Sequence, residues 1–275
     1  MKYFKRKLKI YTPFIKSTIQ RVMTYKFNFF MGLLGSGLTV IITFYLWKAI
    51  FESSGQETIK GFTFNEMIIY IFISLITMRL TNNYVEYMVS EDVRTGALAM
   101  NLIKPINYFI RLLFTSIGNI LGESILINGP MIVGIVIYQT FYSRGTIPSF
   151  STLVLYIISI ILSFMIMIFF NFCFGMLSFY VVYLWGLNFT KTALMKFLSG
   201  ELIPLAFFPL GFRKIMHLTP FASINYTPVM IYLNKYKGNQ ILIEMGVQVI
   251  WVILLMLLSY YIWKRAIKRV TIMGG

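Results

Sequence analysis

The sequence predicts an all-α membrane protein: six transmembrane helices, an N-terminal amphipathic interfacial helix ahead of them, and a short cytoplasmic helix between spans two and three. Three observations predict it. Hydrophobic residues make up 58% of the 275 and charged residues only 12%, a balance suited to lipid rather than water. Six apolar runs, at 27–51, 65–88, 109–140, 152–184, 192–212 and 241–263, meet or approach the roughly 20 residues that cross a bilayer core about 30 Å thick. The third observation is the placement of the +16 net charge: basic residues crowd the ends of the runs, where they meet anionic headgroups and fix orientation. That placement argues against nucleic acid as a partner.

The first 26 residues carry Lys2, Lys5, Arg6, Lys7, Lys9, Lys16, Arg21 and Lys26 with no acid among them. Within them, 12–26 reads as a helix lying on the inner leaflet, with Thr12 as N-cap and Pro13 at the first helical position. Phe14, Ile15, Ile19, Val22 and Met23 share one side; Lys16, Ser17, Gln20, Arg21 and Thr24 share the other. Residues 1–26 thus form a basic cytoplasmic segment and 27–275 the six-span domain. Span one follows the basic start without an A-x-A cleavage site and is too long for a signal-peptide core, so it is expected to be uncleaved. Its Gly32, Gly35, Ser36 and Gly37 allow close helix approach.

Between spans two and three lies Glu91-Asp92-Val93-Arg94-Thr95-Gly96-Ala97-Leu98-Ala99-Met100-Asn101-Leu102-Ile103-Lys104-Pro105. A turn between membrane helices needs only a few residues; this insert is long enough for a short helix of its own, with an apolar stripe able to pack against something. Span three contains Gly118, Gly122 and a Gly129-Pro130 pair expected to kink it. Span five is interrupted by Pro204 and Pro209, which reads as a broken or re-entrant helix. The apolar stretch from Leu218 to Pro228 is expected to dip into the outer leaflet. Basic residues after span six (Lys264, Arg265, Lys268, Arg269) and around the inner loops (Arg79, Arg94, Lys104, Arg111, then Lys191 and Lys196) place both termini in the cytoplasm. Arg213, Lys214, Lys235 and Lys237 dissent, falling in the last outer segment.

The chemistry of several enzyme classes is absent. No G-x-x-x-x-G-K-[ST] loop occurs to cradle a nucleotide, and one histidine, His217, excludes two-His zinc motifs. Cys173, the single cysteine, cannot form an intrachain disulfide. Glu123 in span three is the most notable charge, since a carboxylate at that depth faces a bundle interior or water. It reads either as a substrate-pathway group or as a buried partner of Arg79. Glu201, beside the break in span five, reads as a partner for freed backbone donors or a second pathway group. Asn171 in span four reads as interhelical glue or a pathway residue.

Four features together resemble the permease subunits of ABC-2 type exporters, and among them the small, often paired permeases of daunorubicin-type and related systems. They are the basic amphipathic leading helix; the inner-loop pattern formed by Glu91, Arg94, Gly96, Leu98, Leu102, Lys104 and Pro105; the series Ser199-Gly200, Pro204, Phe208-Pro209, Pro220-Phe221 and Tyr226-x-Pro228; and the basic exit ending in Gly274-Gly275. Lys104 stands where the family usually has Arg, which keeps the charge but loses the planar fork. The resemblance implies a non-enzymatic transmembrane subunit of the plasma membrane that exports an amphipathic small molecule, peptide or lipid-like substrate. It would pair with itself or a paralogous permease and bind no cofactor of its own, ATP and Mg belonging to a separate ATP-binding cassette subunit. The seven inner-loop residues would form the coupling helix that meets that subunit. The alternative is a membrane scaffold or regulator that docks an ATPase without transporting.

Overall fold

The computed structural model describes residues 2–24, 26–141, 147–181 and 183–269; Gly274-Gly275 lies outside them. Helix α1 spans Lys2–Thr24 and α2 Lys26–Ser54. A small hairpin follows, β1 at Thr58–Ile59 and β2 at Phe62–Thr63. Then come α3 (Phe64–Thr81), α4 (Val85–Arg94), α5 (Ala97–Ile103), α6 (Tyr108–Glu123) and α7 (Gly129–Phe141). The remainder is α8 (Phe150–Gly175), α9 (Trp185–Leu198), α10 (Leu210–Leu218), α11 (Pro220–Ile224), α12 (Tyr226–Tyr232) and α13 (Asn239–Ala266). Among the described residues five helical stretches are long and apolar enough to cross a membrane: Phe30–Ser54, Phe64–Arg94, Tyr108–Phe141, Phe150–Phe179 and Asn239–Arg269.

Local sequence sets the helix starts. At α3, Thr63 Oγ1 accepts the Glu66 amide and the Glu66 carboxylate accepts the Thr63 amide, a reciprocal capping box. Asn107 caps α6 and Ser149 caps α8 in the simpler one-way manner. Just before the Gly129-Pro130 pair, where a kink is expected, the helix carries a π turn over Ser124–Asn128, with the Gly129 amide reaching back to Ser124 O. Pro130 has no amide to give and its ring crowds the preceding turn, so the widened turn absorbs the mismatch.

Two expectations for the N-terminal helix are corrected. Thr12 is not an N-cap, because α1 is already helical from Lys2. Pro13 sits inside it and deprives the Lys9 carbonyl of its usual donor; Thr12 Oγ1 supplies one instead, at 3.0 Å. The face holding Ile15 and Val22 is also not left to lipid. It packs along α6, in parallel: Tyr11 Oη accepts the Asn107 amide at 2.8 Å, and Arg21 donates to Asn119 Oδ1 at 3.1 Å. Gly118 and Gly122 make this possible, since a Cβ at Gly118 would lie 2.9 Å from Ile15 O and one at Gly122 would lie 3.0 Å from Val22 Cβ.

The 192–212 run is not one long helix. It is split into α9, an irregular stretch around Pro204 and Pro209, and α10. Helix α13 runs parallel to α8, with Gln248 on Ser159 and Ser163 and Trp263 5.6 Å from Phe172. Arg269 lies over the Tyr180 ring, whereas Lys235 bonds to Gly61 beside the hairpin. The segment between Tyr180 and Lys235 therefore carries the chain from the α4–α5 end of the bundle to the hairpin end, in pieces. Of the stretch expected to dip into the outer leaflet, Leu218 is 71% exposed and Phe221 partly covered, whereas every residue from Ala222 to Tyr232 is buried within the protein. Its broken backbone is satisfied by neighbours, as a membrane interior requires. Ser223 O accepts from both Gln248 Nε2 (2.8 Å) and Ser163 Oγ (2.7 Å), and Asn225 Nδ2 donates to Ser74 Oγ at 2.6 Å.

Candidate functional site

Between α2, α3, α4, the end of α6 and α9 lies a cavity of about 640 Å³ that carries six charged groups: Arg79, Lys191 and Lys196 against Glu86, Glu123 and Glu201. Three of each sign leave it formally neutral. Ser36, Thr39 and Thr43, on successive turns of α2, give it a polar wall. Helices α2 and α9 flank it without substantial packing on each other.

The innermost charges form a closed network. Lys191 Nζ donates to Glu86 Oε1 at 2.8 Å and to Asn171 Oδ1 at 2.9 Å, with both charged side chains only 6% exposed. Asn171, fully buried, donates in turn to the Asn83 carbonyl at 3.0 Å, so the break between α3 and α4 is tied through α8 to α9. Residues Asn188, Lys191 and Met195 are the buried face of α9, at helical spacing. Asn171 thus lies behind the cavity as a bridge between helices.

Glu123 and Arg79 share the cavity but are not joined by an ion pair within 4.0 Å; Arg79 donates instead to Ser36 Oγ. Glu123 stands at the last turn before the π turn of span three. Glu201 faces Lys196 at 3.8 Å. The end of α9 beside it is formed by Gly200 in a left-handed conformation, φ +78°, whose carbonyl accepts Tyr70 Oη at 2.5 Å.

The insert is ordered and anchored. Its first part is the last turn of α4, where Arg94 and Glu91 form a bidentate pair on the surface (both Nη2 contacts 2.8 Å). Gly96 turns the chain with φ +73°, a conformation glycine adopts freely, and α5 follows. Leu98 is buried and Leu102 partly covered. Lys104 is exposed and donates to Asn101 Oδ1 at 3.1 Å; Pro105 beyond it is exposed. Asp92 fixes the insert to α6, accepting from Arg111 at 2.6 Å and from Tyr108 Oη at 2.8 Å. Tyr108 stacks on Trp263 of α13 with ring planes 4° apart. Met100 and Ile103 are 64% and 75% exposed.

Sequence reasoning missed Glu86 and Lys191 as the buried pair. Glu86 was legible as an acid inside an apolar run, but Lys191 counted as an inner-loop residue because span five was drawn from 192. Helix α9 begins at Trp185, which places Lys191 two turns within it.

Long apolar helices around a charged cavity, with an anchored helical insert at one end, define a multi-pass membrane protein with a polar interior. The family is given by comparison: residues 38–274 match the model described as ABC-2 family transporter protein, and the chain belongs to that family. It is a transmembrane permease of the ABC transporter class, a membrane transport component and not an enzyme by itself. No curated protein matches it individually.

Proposed function

We propose that the chain is the transmembrane subunit of an exporter in the plasma membrane, driven by ATP hydrolysed on separate ATP-binding cassette subunits that carry the ATP and Mg. Both termini and the α4–α5 insert face the cytoplasm, and the discontinuous segment through α9 to α12 makes a sixth crossing. A second copy or a paralogous permease packs beside α2 and α9 and closes the cavity that they leave laterally open. The exported molecule is amphipathic, a small molecule, peptide or lipid-like compound, since the cavity combines balanced charge with apolar lining.

The observation that carries this reading is that α4 holds both ends of the device. Glu91 and Arg94 lie in the insert, and Glu86 lies in the cavity on the same helix, five to eight residues away, or roughly 8–12 Å along its axis. Tilting α4 by force applied at the insert displaces Glu86 against Lys191 on α9. A rigid helix with discrete packed partners transmits such a push without a longer relay. ATP-dependent uptake of a labelled amphiphile into inside-out vesicles containing the chain and its ATP-binding subunit tests it. Uptake that needs both proteins is expected. ATP hydrolysis with no movement of any substrate would favour a scaffold that only holds the ATPase.

A further inference from the structure

At the hairpin end a second cavity, of about 700 Å³, lies between the β1–β2 turn, α10, α12 and the start of α13. Its charge is one-sided: Lys60, Arg213, Lys214 and Lys235 line it, with Glu244 as the single carboxylate of the lining. Two of these groups have a close neighbour. Lys235 Nζ lies 2.5 Å from Glu66 and donates to Gly61 O at 2.9 Å, and Glu244 lies 3.0 Å from His217 Nδ1. No described carboxylate lies within 4.0 Å of Lys60, Arg213 or Lys214. Three cations therefore share one cavity with no described carboxylate within ion-pair distance of them, and Glu244 is the only acid of its lining.

Two further observations indicate that this charge is kept at a cost. Lys60 occupies a left-handed position of the hairpin turn, φ +49°, where Asn or Gly is ordinarily favoured. Helix α10 exposes Leu210 and Ile215 while Arg213 and His217, one turn apart, line the cavity. The two apolar side chains and the guanidinium thus leave the helix on different sides. Basic residues at this end also run against the usual bias of membrane proteins toward cytoplasmic Lys and Arg.

We propose that this basin binds a phosphate-type oxyanion, carried either by a lipid headgroup or by a soluble molecule. A guanidinium flanked by two ammonium groups suits a multivalent tetrahedral anion, which charge-assisted hydrogen bonds hold most strongly. The binding itself does not depend on export or on an ATP-binding partner, so its failure and the failure of that reading are separable.

The test uses the full chain in nanodiscs. In pure phosphatidylcholine it is titrated with pyrophosphate; in discs containing phosphatidylglycerol, the retained lipid is read by native mass spectrometry. Saturable pyrophosphate binding assigns a soluble group, and retained phosphatidylglycerol without it assigns a headgroup. Either ligand should be weakened at least tenfold by Arg213→Gln with Lys214→Gln, and several-fold by Lys60→Gln alone. Lys237→Gln, the same charge change outside the lining, should leave binding unchanged. Should the double variant not fold, Lys60→Gln decides, because its turn is exposed. Absence of both ligands, unchanged binding in Lys60→Gln, or equal weakening by Lys237→Gln overturns the proposal.

Discussion

Lys191 and Glu86 face each other at 2.8 Å beneath the charged cavity, and each is the only counter-ion within 4.0 Å that the described structure gives the other. Removing one partner of such a pair leaves an uncompensated charge on a buried side chain. Lys191→Met is expected to destabilise the protein by about 3–5 kcal/mol, and Glu86→Gln combined with it to restore more than half of the loss. Thermal unfolding in detergent measures both; additive losses would mean that the pair is not a unit. Glu123 behaves differently, because no cation among the described residues lies within 4.0 Å of it. Glu123→Gln is expected to change stability by less than about 0.5 kcal/mol while altering which substrates are transported. At Gly200, alanine must adopt φ +78° with its Cβ 3.1 Å from Tyr70 Oη; the backbone alone costs about 1–2 kcal/mol. Gly96→Ala carries the same backbone cost without any crowding, since nothing lies within 4 Å of a Cβ there, so its effect should be confined to the insert.

Helix α1 makes the sharpest prediction among the elements. Gly118→Leu places a side chain where Ile15 and Thr18 now touch α6, and overpacking of this kind costs typically 1–3 kcal/mol. Trypsin cleavage after Lys16 and Arg21 should accelerate while the rest of the bundle stays resistant; an unchanged digest would show that α1 does not depend on this contact. The same helix shows how far sequence carries. Its amphipathic pattern was plain, but a pattern names a face and not what covers it, and glycines on a distant helix decided that. The irregular turn before Pro130 and the helix in the insert were legible because their causes are local: a missing amide, and a charged stretch ending in glycine. The break in span five was legible from Pro204 and Pro209. The burial of Ala222 to Tyr232 was not, because apolar residues read alike whether they meet lipid or protein. Glu86 with Lys191 escaped for a related reason: pairing across 105 residues is fixed by helix packing, which no spacing in the chain encodes.

For the whole molecule, one helix joins an anchored insert to a charged cavity, and the two flanking helices of that cavity do not pack closely on each other. The central claim is that an ATP-binding subunit docks on the insert. Met100 and Ile103 are its exposed large apolar side chains, whereas Leu98 is buried, so the pair can be changed without disturbing the fold. The deciding measurement is co-purification of this chain with ATP-binding cassette subunits of its own cell, comparing the native sequence with Met100→Asp/Ile103→Asp. The account predicts recruitment by the native chain and at least a tenfold loss in the variant, with the variant still inserted and unfolding at the same temperature. Equal recruitment by both, or none by either, would contradict it.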